Sequence, residues 1–395
     1  MEDIRVLVLK YYEKMIAYRR HIHRHPELSG EEKQTAAFIA ARLREMGLEP
    51  TENVGGYGVT AVIEGCGEGK CIGLRADIDA LPITETTGCS FASENAGVSH
   101  SCGHDCHTAM LLGCAHVLME TRDSWKGKVK LIFQPAEESV LSGGAPDMIA
   151  DGVLENPQVD AIIGSHVWPS IASGHAAIRN GAMMASSDKF FITIKGKASH
   201  GSQPENGIDA IVAAAHIVTA LQSIVSRSVA PLKSAVVTIG TIEGGDRYNV
   251  IADTVKMEGT CRNLDPDVRN EMAGRIEGII RGVTQALGAE YEFKYCRGYS
   301  PTVNDPAMFE LVYATMQELL GDKALIPENS ALGGEDFSFY GEKIPAAFYW
   351  LGTCPLSQDP KKAAPIHNGA LDIDEESLTL GVEITVRSAL RYLMQ

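Results

Sequence analysis

Apolar positions recur along this chain with two periods. Ala36, Ile39, Leu43 and Met46 are spaced as one face of a helix that stops at Gly47, and Ser29-Gly30-Glu31-Glu32 ahead of them has capping-box spacing. Ala109, Leu112, Ala115 and Leu118 mark a second helix over residues 105–122. Between and after these helices lie short apolar runs at 59–63, 71–76, 129–133 and 161–164, which predict buried strands. This alternation predicts an α/β layer with a mainly parallel sheet. The middle of the chain changes pattern. Strands at 190–194, 236–242, 254–261 and 291–295 enclose helices at 209–227 and 265–287, which is the strand-helix-strand-strand-helix-strand order of a ferredoxin-like module. A helix at 306–320, a strand at 347–351 and a helix at 375–392 then return to α/β. The predicted organisation is an α/β domain in two pieces, 1–181 and 298–395, with the module 182–297 inserted between them.

The chain has 395 residues, room for two or three domains. Lys and Arg number 35 against 51 Asp and Glu, a formal charge of −16, which argues against a nucleic-acid partner. Residues 6–9 are too short an apolar run for a signal peptide. The longest apolar stretch, 211–225, is interrupted by His216, Thr219, Gln222 and Ser223 and falls short of the ~20 residues a spanning helix needs, so no membrane span is expected. Nine cysteines, an odd and scattered set, suit a reducing, cytoplasmic setting.

Chemistry collects where predicted strands end, the place where open α/β sheets bind ligands. Asp77 and Asp79 follow one strand, Glu137 and Glu138 follow Pro135 after another, and His166 closes a third. The densest cluster is Cys102-Gly103-His104-Asp105-Cys106-His107, and His367 lies in a Pro-Ile-His-Asn-Gly loop. In an extended segment Cys102 and His104 would point the same way. Thiolate, imidazole and carboxylate together suit zinc or a similar metal. Adjacent glutamates allow one to bind metal while the other acts as a base. Taken singly, each element also has an ordinary structural explanation, such as a cap, a turn or a solvated pair. His21, His23 and His25 fit a helix end before Pro26, and His116 and His216 fall within helical patterns. Cys66, Cys71, Cys89, Cys106, Cys114, Cys261, Cys296 and Cys354 are expected to be packing thiols.

The order of the motifs is more telling than any one of them. His25-Pro26-Glu27-Leu28, Leu74 to Pro82, Cys102 to Thr108, Gln134-Pro135-Ala136-Glu137-Glu138, His166-Val167-Trp168-Pro169, Gly333-Gly334-Glu335-Asp336-Phe337 and Ile366-His367-Asn368 run essentially end to end. In this order they resemble the aminoacylase/carboxypeptidase superfamily of cocatalytic metallopeptidases. Within it the chain is most similar to the N-acyl-amino-acid amidohydrolases, hippurate hydrolases and indole-acetyl-amino-acid hydrolases. The resemblance implies two divalent metal ions per subunit (zinc, manganese, cobalt or nickel). Cys102 would bridge them, and His104, Glu138, His166 and His367 would complete the ligands. Glu137 matches the general base and Asp79 the acid that supports the site. Asp77 falls where other branches carry a ligand histidine and is not assigned as a ligand. The inserted module matches a lid and dimerisation domain, so a homodimer or higher oligomer is expected. Its His200 matches a histidine that reaches a neighbouring subunit's site, Asn249 a lid residue near substrate, and Arg262 a carboxylate-binding arginine.

The implied reaction is hydrolysis of the amide of an N-acyl-amino acid by metal-bound hydroxide. A dipeptidase or carboxypeptidase would share every metal residue. A cysteine hydrolase would use Cys102 as nucleophile and His104 as base. A non-catalytic descendant would have lost Glu137 or a ligand, and here all six positions are filled. The sequence departs from the pattern at Ser199 to Asn206, at Gly245 to Asn249 and at Ser139 to Ser142, where specificity could be set.

Overall fold

A computed structural model describes residues 3–139 and 143–395. The chain divides into two units, Met1–Met183 with Val303–Asn329 and Asp336–Gln395, and Met184–Thr302 with Ser330–Glu335.

Among the described residues the first unit is built on an eight-stranded sheet. Its order is Thr51–Val54, Gly58–Glu64, Lys128–Gln134, Cys71–Asp77, Ala161–Ala172, Ala346–Cys354, Ala176–Ala177, Ala324–Leu325. The four central strands, Lys128–Gln134 through Ala346–Cys354, run parallel. Gly58–Glu64 joins them antiparallel, as does Ala176–Ala177 on the far side. The sheet is thus mixed, with a parallel centre. Cys71–Asp77 and Ala346–Cys354 are buried at every position, as expected of strands covered on both faces. The helix His104–Thr121 is buried around most of its circumference, and it packs against the helices Tyr12–Arg24 and Ser377–Leu393. Tyr12–Arg24 carries His21 and His23 in its last turn, with His25 as its C-cap.

Two local expectations are corrected. The predicted capping box does not form. Ser29 Oγ instead donates to Asp79 Oδ2 at 2.6 Å, and the helix Lys33–Glu45 is capped by Glu27, which accepts from the amides of Gln34 and Thr35. His166 does not end its strand either. The ladder runs on to Ala172, because Trp350 pairs with His166 and the neighbouring strand continues beside it.

The second unit has the antiparallel order Ala235–Gly244, Thr254–Asn263, Ser187–Lys195, Glu290–Tyr299, the ferredoxin-like arrangement. Ile192, Ile194, Ala213, Ile217, Met272 and Ile276 form part of its core, between the sheet and the helices Ala210–Ser223 and Pro266–Leu287. The first of these helices is longer than the apolar run suggests. It continues to Ser228, and over Ala210–Ser228 it is long and apolar enough to cross a membrane by length and composition alone. Thr219, Gln222, Ser223 and Ser226 do not interrupt it, since each bonds back to a carbonyl three or four residues earlier. One face belongs to the core just described. Ile211, Val212 and Val225 are exposed, as is Ile242 on the edge strand.

All nine cysteines are free thiols. Most pack as expected, but Cys66 is exposed because it follows the last residues of an outer strand, and Cys89 and Cys296 are half-buried.

Candidate metal centre

Asp77 ends the central strand Cys71–Asp77, and its carboxylate is already committed. Arg75 Nη1 donates to Oδ2 at 2.7 Å, and His107 Nδ1 lies 2.5 Å from Oδ1. His107 Nε2 in turn accepts from the Val167 amide at 2.9 Å. His107 therefore spends both ring nitrogens on the scaffold. Asp105 is tied to the scaffold through one oxygen, receiving Arg19 Nε and His23 Nδ1 on Oδ2. Burial alone would raise the Asp77 carboxyl, but His104, His107 and Arg75 around it hold it well below the usual carboxylate range.

The segment from Cys102 to His104 is not extended. Gly103 has φ +90° and a Cβ there would lie 2.4 Å from Val167 Cγ2, so only glycine fits. The reversal starts the helix at His104. His104 Nδ1 lies 3.1 Å from Asp79 Oδ1, which fixes the ring and leaves Nε2 facing inward.

The two glutamates sit on a strained turn. After Gln134 and Pro135, Ala136 takes φ +56°, a left-handed conformation that costs a non-glycine residue about 1–2 kcal/mol. The turn is held from several sides. Asp79 Oδ2 accepts the Glu138 amide at 3.0 Å, and the Asp336 amide donates to Glu137 Oε1 at 3.4 Å. Behind it, Asp336 accepts from Arg75 Nη2, Gln134 Nε2 and the amides of Gly144 and Ala145. Val140, Leu141 and Ser142, part of the segment that departs from the family pattern, lie outside the described residues.

These supports bring the predicted ligands together. Donor atoms of Cys102, His104 and His166 lie within 4.8 Å of one another, and so do those of Cys102, Glu138 and His367, and of His104, Glu137 and Glu138. Two of these trios share Cys102. Cys102 Sγ is 3.3 Å from His166 Nε2, and His367 Nε2 is 3.0 Å from Glu138 Oε1. His367, at φ +61°, is the exposed member. His166 Nδ1 lies 2.6 Å from its neighbour's carbonyl, Val167 O, which turns Nε2 towards the cluster as a lone pair. Trp168 stacks on Trp350 at 4.2 Å and meets the His166 ring edge-on.

The donor set fits a pair of cations. His104 Nε2 is buried without a hydrogen-bond partner, an arrangement that proteins otherwise avoid. Burial, then Glu138, Glu137 and Asp77, push the Cys102 thiol well above its usual range. Burial would lower the His104 pKa, but Asp77, Asp79 and Glu138 raise it to about 10. Burial and His107 keep His166 neutral. So much negative potential in one dry place is balanced by divalent metal.

The remaining predicted residues lie in the second unit. His200 and Asn249 are brought together there: His200 pairs with Val250, and the Gly201 amide donates to Asn249 O at 2.8 Å. His200 is exposed, its Nδ1 accepting from the Ser202 amide. Asn249 Oδ1 is buried without a partner. Arg262 is not with them. It lies at the other end of the strand Thr254–Asn263, eight residues and roughly 26 Å from Thr254, and its guanidinium donates to Thr260 Oγ1 and Cys261 O.

Sequence reasoning left Arg75, His107, Gln134 and Asp336 without roles. Their signal was present in the quoted motifs, but what they do depends on contacts between segments up to 261 residues apart.

Comparison with known proteins gives the following. The family model described as peptidase family M20/M25/M40 matches residues 73–391. N-acetyl-L-cysteine deacetylase of Bacillus subtilis is 42% identical over 96% of this chain and 88% of its own. Thermostable carboxypeptidase 2 of Saccharolobus solfataricus is 38% identical over 96% of this chain and 95% of its own. The crystal structure of a Bacillus subtilis protein described as a dinuclear metal-binding peptidase of the M20 family superposes with a TM-score of 0.85. It shares 35% identity over 98% of this chain and 99% of that one.

Proposed function

The chain belongs to the peptidase family M20/M25/M40 and is therefore a metal-dependent amidohydrolase or peptidase with a dinuclear centre, and from that premise we propose that it cleaves N-acyl-amino acids. The observation that carries the chemistry is the pair of donor trios sharing Cys102, with Glu137 and Glu138 side by side on one turn. The substrate class rests on the likeness to N-acetyl-L-cysteine deacetylase, since N-acetylcysteine is an N-acyl-amino acid.

In this reading Cys102, His104, Glu138, His166 and His367 would hold the metals. When bound, the metal pair supplies Lewis acidity for the attacking water and the scissile carbonyl. Glu137, buried and held by the Asp336 amide, takes the proton from the water and returns it to the leaving amine. Asp79 orients His104 and the Glu138 backbone at once. Arg262 is a cationic anchor for the carboxylate of the amino acid, while His200 and Asn249, near the other end of its strand, would contact the substrate of the partner subunit's site. A cysteine hydrolase fits poorly, because a nucleophilic thiol needs a depressed pKa and that of Cys102 is raised by burial and three carboxylates.

The likeness to a carboxypeptidase supports a second reading, hydrolysis of short peptides. A panel of acetyl-, benzoyl- and indole-acetyl-amino acids against dipeptides, with defined metals added back, separates the two. Acyl-amino acids are expected to exceed dipeptides in kcat/KM by at least ~10-fold. The opposite order moves the protein to the second reading.

The second unit is proposed as a lid and dimerisation domain. Its edge strand Ala235–Gly244 and the exposed Ile211, Val212, Val225 and Ile242 support a self-association surface. With His200 acting on the partner's site, mixing and exchanging the inactive variants His200→Ala and Glu137→Ala should restore activity. Half the dimers are then mixed and each has one intact site, so about a quarter of wild-type turnover returns. A mixture shown to exchange subunits that remains inactive places His200 in its own subunit's site or in none.

A further inference from the structure

Glu32 has no exposed surface and takes no part in the chemistry described so far. Its Oε1 accepts two amide hydrogens, one from Gly30 in its own segment at 2.9 Å and one from the distant Ala136 at 2.8 Å. Its other oxygen, Oε2, is buried without a partner. Burial pushes the carboxyl up to about 7, and nearby Asp79 acts in the same direction. A carboxylate is held here at some cost, and the helix it precedes is capped by Glu27 instead.

Ala136 is the left-handed residue of the turn that presents Glu137 and Glu138. Its conformation has no support from a glycine, so it depends on what holds its amide. The Glu138 amide, two residues on, is held by Asp79. The two carboxylates belong to one assembly. Ser29 Oγ donates to the same Asp79 oxygen, the Ala80 amide donates to Glu27 O at 2.8 Å, and Leu28 bridges Ala80. The segment Glu27 to Glu32 is thus stitched to the Asp79 segment on one side and to the glutamate turn on the other.

We propose that Glu32 is a positioning residue for the amide hydrolysis: by accepting the Ala136 amide it locks the left-handed turn that aims the adjoining Glu137 at the metal cluster. The proposal rests on the assignment of Glu137 as base and Glu138 as ligand. Carboxylate charge is not what the role requires; an acceptor oxygen at that point is.

The test uses the full-length, metal-loaded protein and the acyl-amino acid that the wild type hydrolyses best. Glu32→Ala is expected to lower kcat about 30-fold or more, with KM within about 3-fold and two metals still bound, because Asp79 still holds the Glu138 amide while Glu137, next to the released residue, loses its aim. Glu32→Gln keeps an acceptor oxygen and is expected to stay within about 5-fold of wild type. If Glu32→Ala does not fold, Glu32→Met, of similar volume and without an acceptor, takes its place. A folded Ala or Met variant with kcat within 3-fold of wild type overturns the proposal, and so does a Gln variant as impaired as the Ala or Met one. These outcomes are separate from a failure of the base assignment, which shows as a fully active Glu137→Gln.

Discussion

Glu137→Gln is expected to lower kcat by at least ~10²-fold while two metals per chain remain bound, whereas Glu138→Gln is expected to lose metal together with activity. The two residues are chemically identical and adjacent, so only their surroundings can divide the work. Glu137 is buried, and its Oε1 receives the Asp336 amide. Glu138 has its backbone tied to Asp79 and its Oε1 buried between two predicted ligands, 3.0 Å from His367 Nε2 and 4.0 Å from His104 Nε2. The first arrangement suits a group that must accept and release a proton, and the second a group that waits for a cation. Glutamine cannot take a proton from water, but it preserves volume, so a loss of rate in Glu137→Gln is not a loss of folding. Metal analysis of both purified variants decides the matter. If Glu137→Gln comes out empty and Glu138→Gln loaded, the roles are reversed.

Stripping the metals with a chelator is expected to abolish turnover, and zinc, manganese, cobalt or nickel to restore it. The same treatment should lower the thermal midpoint. A ligand present at ~1,000 times its Kd stabilises by about 4 kcal/mol, which for a domain of this size corresponds to roughly 10 °C. The destabilisation has a structural source. Without cations, the thiol of Cys102 and the carboxylates of Glu137, Glu138 and Asp77 share one buried space, and His104 must carry a compensating charge. Full turnover in rigorously metal-free protein, combined with inactivation by thiol alkylation, would sink this assignment in favour of Cys102 as nucleophile.

Much of the architecture is legible in the sequence because it rests on local patterns. The runs at 71–76 and 129–133 form central strands extended by a residue or two, and the helix predicted at 306–320 is found as Pro306–Leu320. The site's donor residues are legible for a different reason: thiol, imidazole and paired carboxylates at strand ends have few ordinary uses together. What was hidden depends on geometry that no spacing encodes. The chain reverses at Gly103 with φ +90°, and the position must be glycine because Val167 leaves no room for a Cβ. Ser29 serves Asp79 and not its own helix because the Asp79 segment lies alongside. His107 looks like a ligand in its cluster, yet Asp77 and the Val167 amide occupy both its nitrogens. Residues Ser330–Glu335 group with the second unit although the flanking sequence belongs to the first.

The order of the central strands bears on how the chain matures during synthesis. The strand Ala161–Ala172 is flanked by Cys71–Asp77 on one side and by Ala346–Cys354 on the other. A ribosome delivers the first neighbour early and the second only after the whole of Met184–Thr302 has emerged. The continuous stretch of the second unit can reach its ferredoxin-like arrangement while the first unit still waits with an open strand edge. Such an edge is the kind of surface on which nascent chains aggregate or recruit chaperones. His367 emerges later still, so the cluster of donors cannot close until that segment too has been made. Capture of the full metal pair therefore waits for the second piece of the first unit, and a chain truncated before the strand Ala346–Cys354 lacks both His367 and the second neighbour of Ala161–Ala172.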